Sequence, residues 1–179
     1  MTHEFSRTRR FAVAMAALLC AAALFRTQVA DALVIRGDDY LYRGDRAQAL
    51  VRYGRALAIA PDSEIAADRY VFLSLQRQTP ASLAAAVTVA SRYLGRHPHD
   101  APLLNDRALC YLHMHRYESA ERDFRSAARA SHLPEEYVFA GWAAEHAGSR
   151  RDAAALWREA LRIRPRYQPA ALALREQHR

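Results

Sequence analysis

At 179 residues, with 51% hydrophobic and 25% charged, the chain is long enough for one compact domain and too short for two ordinary ones. Six glycines, seven prolines, abundant alanine and few β-branched residues exclude a β-rich protein and indicate an all-α class. The net charge of +7 comes from 26 basic residues that are all arginine, with no lysine, a pattern of GC-rich codon usage that removes the basic balance as an argument for nucleic-acid binding.

The first segment, residues 1–29, differs from the rest. Arg7, Arg9 and Arg10 precede fifteen uncharged, mostly apolar residues from Phe11 to Phe25, and Arg26 follows. This is a membrane-targeting pattern. As a helix the run is about 22 Å long against about 30 Å of bilayer hydrocarbon, so a span requires Arg10 and Arg26 to snorkel. Ala30-Asp31-Ala32 offers a signal-peptidase site, but cutting there removes the start of the helix that follows. An uncleaved signal anchor is the expected reading, single-pass in the inner membrane with the following domain in the periplasm. The alternative is secretion to the periplasm after cleavage.

From residue 30 the sequence repeats itself. In the first copy, residues 30–63, Gly37, Tyr40, Ala49, Tyr53, Ala56 and Pro61 stand at intervals that fit neither a lone amphipathic helix nor a strand. The second copy, 64–100, is less regular. It keeps Ala86 and Pro98, while Thr79-Pro80 reads as an N-cap and first helical residue, so its second helix starts early. The third copy, 101–133, places Ala108, Tyr111, Ala120, Phe124 and Ala127 at the intervals of the first. The fourth, 134–167, does so with Gly141, Ala144, Ala153, Trp157, Ala160 and Pro165. Residues 168–179 are too few for another pair and read as a capping helix.

The physical reading is a pair of antiparallel helices, A and B, that cannot bury its apolar faces until another pair stacks on it. Glycine or alanine at 37, 108 and 141 lets helix B approach helix A, and the alanines at 49, 120 and 153 do the same in return. The aromatics Tyr53, Phe124 and Trp157 are expected to fill the space between one pair and the next. Gly44 and Gly148 suit a helix C-terminus, and Asp62-Ser63 and Asp100 suit N-caps.

These residues closely resemble the tetratricopeptide repeat family, over residues 30–167. The resemblance implies a right-handed α-solenoid of about four helix-turn-helix repeats, here preceded by an N-terminal hydrophobic helix. It also implies that the A helices line a concave, peptide-binding surface. Carried over by repeat position, the groove residues are Asp31, Val34, Asp38, Leu41 and Tyr42; Pro102, Asn105, Leu109, Leu112 and His113; and Glu135, Val138, Trp142, Glu145 and His146. The second copy contributes Ile65, Asp68, Phe72, Leu75 and Gln76. Five of these are acidic and none is arginine, whereas Arg52, Arg55, Arg122, Arg125, Arg129, Arg158 and Arg162 fall on B helices. A protein or peptide partner with apolar anchors and a basic residue is therefore expected, with Trp142 as its main contact. The competing reading packs Trp142 and Tyr42 in the seams between repeats. The carboxylate clamp known in the family, built on lysine and asparagine, has no counterpart beyond Asn105.

Other motifs carry less. Arg36-Gly37-Asp38 and Arg43-Gly44-Asp45 spell an adhesion tripeptide, but both glycines already have structural tasks. His97-x-His99 and His113-x-His115 flank one helix about 20 Å long and cannot share a metal. Cys20 and Cys110 form no metal-type pair, and no nucleophile elbow or phosphate loop occurs. No catalytic residue, cofactor or metal is expected, and the resemblance implies an adaptor of the cell envelope, of the kind that often accompanies export, assembly or exopolysaccharide machinery. A binder of anionic lipid or nucleic acid through the arginines of the B helices is the alternative, distinguishable by steep salt dependence.

Overall fold

The computed structural model describes residues 2–177, and these are α-helical apart from turns and short connections. The helices are α1 (Thr2–Tyr42), α2 (Arg46–Ile59), α3 (Glu64–Arg77), α4 (Pro80–Leu94), α5 (Ala101–His113), α6 (Tyr117–Ser131), α7 (Pro134–His146), α8 (Arg150–Ile163) and α9 (Gln168–Gln177). The chain divides into two compact units, one ending at Ala66 and one beginning at Ala67. Repeat architectures allow such a division because each pair contacts only its neighbours.

In the first unit α1 is one unbroken helix, so the apolar run and the first A helix are a single element with no linker. Its N-terminal part is bare: Phe11, Leu18, Leu19, Leu24 and Phe25 are all exposed. From Ala30 onward it packs on α2, with Ala30, Val34, Ala49, Tyr53 and Ala56 buried. In the second unit successive helices from α4 to α9 pack on one another. A continuous core joins Ala108, Ala120, Phe124, Val138, Ala144, Ala153, Trp157 and Ala160, and reaches Ala170 and Ala173 of α9.

The alanines at 49, 120 and 153 have no exposed surface, as helix–helix contact through short side chains requires. Two of the three aromatics depart from expectation. Tyr53 and Trp157 sit over the glycine of their own pair: a Cβ at Gly37 would lie 2.8 Å from Tyr53 Cδ1, and one at Gly141 would lie 2.8 Å from Trp157 Cε2. Phe124, which faces an alanine in the matching position, stacks instead on Phe139 of α7 at 5.6 Å between centroids. The reason is size, since the missing methyl group of glycine lets the ring settle inside the pair.

Local chemistry sets the boundaries. The Thr79 and Ser82 side chains each accept a hydrogen bond from the other's backbone N–H, a capping box that starts α4 early as the sequence predicts. Asp100 accepts from the Leu103 N–H at 2.9 Å, and Asp45 from the Gln48 N–H at 3.0 Å. Three A helices end in one motif. In α1 the N–H groups of Gly44 and Asp45 bond to the carbonyls of Leu41 and Tyr40, and in α7 those of Gly148 and Ser149 bond to Glu145 and Ala144. In α5 the residue in the glycine position is His115, which takes φ 56° and makes the same bond to Leu112, while Arg116 bonds to Tyr111. This is the Schellman ending, which requires a left-handed residue.

Candidate functional site: the exposed stripe of the A helices

The expected groove residues recur at i, i+4 and i+7, so each set lies along one side of its helix. Burial separates them. On α1, Val34 and, on α7, Val138 are interior, so they serve packing rather than contact with a partner. Tyr42 is 95% exposed at the end of α1, and Leu41 is half-buried. Asp38 is half-buried and accepts a 2.6 Å hydrogen bond from the Tyr53 hydroxyl, so it holds the aromatic that covers Gly37.

In the second unit Asn105, Leu109 and Leu112 of α5 and Glu145 of α7 are all half-buried, and Trp142 is 41% exposed. The Trp142 indole meets Phe139 edge to face at 5.5 Å, and Phe139 in turn stacks on Phe124. Trp142 is thus a supported surface aromatic, with neither a core position nor full solvation. On α3, Phe72 is also exposed.

The acidic character of the stripe is partly spent within the protein. Glu135 pairs with Arg164 at 2.8 Å, and Asp68 lies 3.9 Å from Arg69. Sequence reading passed over Asp106, one residue beyond the expected Asn105. Its carboxyl is pushed up to about 6 by burial first and by the Asp68 carboxylate second, with Asp100 adding to this and an Asn105 hydrogen bond opposing it. The only signal for it was a second acid beside a groove position. Burial and the Asp106 carboxylate together push the Cys110 thiol up to about 12, so this cysteine is an inert buried group.

Three arginines elsewhere pair with carboxylates of their own unit. Arg107 of α5 turns inward, binding both Asp123 oxygens of α6 at 2.6 and 2.8 Å and the Ser91 hydroxyl of α4 at 3.0 Å. On the B helices Arg125 pairs with Glu121 and Arg162 with Glu159. Such pairing dilutes the phosphate-binding alternative.

The remaining motifs resolve into structure. Gly37 lies under Tyr53, and Asp45 caps α2, which uses both adhesion-like tripeptides internally. His97 stacks on Tyr93 at 4.3 Å and His146 on Tyr117 at 5.2 Å, while His115 Nδ1 lies 2.8 Å from the Tyr117 hydroxyl. Among the described residues no group of three or more His, Cys, Asp or Glu is placed to hold a metal ion.

No protein-family model matches the sequence, and no curated protein matches it either. Solved structures do. The TPR protein YrrB, described as having an unusual peptide-binding site, superposes with a TM-score of 0.67 at 15% identity, covering 82% of this chain and 75% of that one. PilF of Pseudomonas aeruginosa gives 0.63 at 23% identity over 85% of this chain and 68% of its own. Residues 41 to the end of MamA from Desulfovibrio magneticus RS-1 give 0.64 at 16% identity, over 78% and 77%. The shared property is the all-α solenoid fold of paired helices.

Proposed function

We propose that this chain, which has the tetratricopeptide-repeat fold, is a non-catalytic adaptor that holds a protein or peptide partner on the exposed side of the A helices of its second unit. The observation that carries this is Trp142, a half-exposed aromatic braced by Phe139, with the half-exposed Leu109 and Leu112 of α5 at the corresponding repeat positions. An aromatic held this way offers area to a partner at little entropic cost. The charge of the partner follows from Asp68 and Asp106, whose mutual repulsion a basic side chain would relieve.

The test uses the two tryptophans. Trp142 is exposed and Trp157 is fully buried, so Trp142 emission reports binding of peptides that carry apolar and basic residues in the parent and in Asp68→Arg, Trp157 emission reports folding, and calorimetric titration reads the affinity of every variant, Trp142→Ala included. Trp142→Ala and Asp68→Arg are expected to weaken binding with folding intact. Asp38→Arg is a poorer probe, because Asp38 supports Tyr53. Unchanged affinity in both variants would remove the stripe as the binding site.

The adaptor is further proposed to be tethered by α1 in a bacterial-type inner membrane, with the repeats in the periplasm. Within the helix over Phe11–Tyr42 lies an 18-residue stretch apolar enough to cross a membrane, with mean hydropathy 1.7 and none of it buried. A signal sequence passes the same criteria, and the secreted form is the second reading. Cleavage after Ala32 would remove Ala30, which has no exposed surface, and this favours the intact anchor. Sequencing the N-terminus of the mature protein separates the two, and an inactive C-terminal alkaline phosphatase fusion would overturn the periplasmic placement.

A further inference from the structure

The geometry points to a binding site for a zwitterionic phospholipid headgroup, of the phosphoethanolamine class, in the cleft between the start of the packed part of α1 and the C-terminal end of α2. The cleft has a volume of about 480 Å³ and is lined by Ala23, Arg26, Thr27 and Asp31 of α1 and by the turn Ile59–Ser63, which includes Asp62. That volume is in the range of small-molecule sites.

Its position is set by the chain path. Helix α2 returns antiparallel along α1, and Arg26 donates a 2.8 Å hydrogen bond to the Ile59 carbonyl. The end of α2 is thereby fastened to the first charged residue after the apolar run. With no linker in α1, a membrane that takes up Phe11–Phe25 brings this turn to its surface. The lining residues of α1, from Ala23 to Asp31, extend about 12 Å along the helix axis, a depth that spans the boundary of the hydrocarbon and the headgroup layer. This inference rests on the membrane-tethered reading above.

The chemistry selects the headgroup. A guanidinium has five donors, so the bond to Ile59 leaves others for a phosphate oxygen. The carboxylate of Asp31 and the carbonyl end of α2 attract a cation. A ligand with phosphate and ammonium a few bonds apart satisfies both the guanidinium and this carboxylate. An anionic headgroup would meet the Asp31 carboxylate, and a choline would present no N–H donor to it.

The full-length chain, purified in detergent with equimolar phosphatidylethanolamine, phosphatidylcholine and phosphatidylglycerol, is examined by native mass spectrometry for retained lipid. Phosphatidylethanolamine is expected to be retained preferentially. Arg26→Gln is expected to weaken its retention about tenfold, as loss of one charge-assisted hydrogen bond implies. Asp31→Asn is expected to abolish the preference over phosphatidylglycerol, and it carries the test if Arg26→Gln fails to fold. Equal retention of the three lipids, or preference unchanged in Asp31→Asn, would overturn the proposal. Displacement of the lipid by soluble phosphoethanolamine at equal concentration would assign the cleft to a free headgroup compound and overturn the lipid assignment. Carbonate extraction of membranes reads the tether independently: a chain that stays with the membrane but shows no preference loses only the cleft.

Discussion

The indole of Trp157 occupies the space that a side chain at Gly141 would need, and its Nε1 donates a 3.3 Å hydrogen bond to the Val138 carbonyl, three residues earlier on α7. The same relation holds between Tyr53 and Gly37, with Asp38 in place of the backbone acceptor. The first and fourth pairs of helices are therefore each locked by a ring seated on backbone. Gly141→Ala is expected to cost about 2 kcal/mol through overpacking, despite the better helix propensity of alanine. The double variant Gly141→Ala/Trp157→Phe imitates Ala108 and Phe124 of the third copy and is expected to recover part of the loss. Urea unfolding of the single and double variants checks both, and an additive double variant would show that the two positions are independent.

At Gly148 the cost has a different origin. Its φ is 85°, and nothing lies within 4 Å of where a Cβ would stand, so only backbone strain opposes a side chain. Gly148→Ala is expected to lower stability by about 1 kcal/mol, measured as a shift of the urea midpoint at constant slope. His115, which already sits in the left-handed region, is the natural comparison. His115→Gly relieves that strain but gives up the bond to Tyr117, so its net effect is expected to stay within about 1 kcal/mol of zero.

Arg107 and Asp123 form a two-pronged pair whose side chains are only 18% and 12% exposed. Removing the cation alone leaves a nearly buried carboxylate without its partner. Arg107→Met is expected to cost about 3 kcal/mol, and Arg107→Met/Asp123→Leu is expected to regain most of it. Thermal denaturation of the three variants is the measurement. Equal losses in the single and double variants would place the stabilisation in packing of the arginine stem instead.

Asp106 predicts a pH dependence of unusual sign. Its carboxyl titrates at about 6 in the folded state against an ordinary 3.8, so between these values the folded chain holds the extra proton. Stability from this group is fully present below about pH 4 and is lost as pH rises through 6. Asp106→Asn is expected to be more stable than the parent at pH 7, by an amount of order 1 kcal/mol after solvent screening, with the difference gone at pH 4. Unfolding midpoints across that range test the sign directly. A basic peptide bound near Asp68 should reduce the difference at pH 7.

Much of this architecture could be read along the chain because it depends on local rules. Thr79-Pro80, Asp100, Gly44 and Gly148 each specify a helix boundary through their own backbone and side-chain chemistry, whatever they later pack against. The alanine and glycine intervals disclosed paired helices because close helix approach tolerates few residue types. His115 escaped notice because its side chain does not advertise a left-handed conformation; the surrounding Schellman bonds impose it.

What only the tertiary structure decided concerns direction and company. Repeat position alone put Val34 beside Asp38, and Val138 beside Trp142, on one stripe, yet packing sent both valines inside and kept Trp142 at the surface. The placement of Tyr53 and Trp157 over their own glycines, and the coupling of Asp106 to Asp68, arise from separations through space across residues distant in sequence. Periodicity fixes the angle of a side chain around its helix axis. How deep that side chain lies, and which charge it meets, depends on the neighbouring helix.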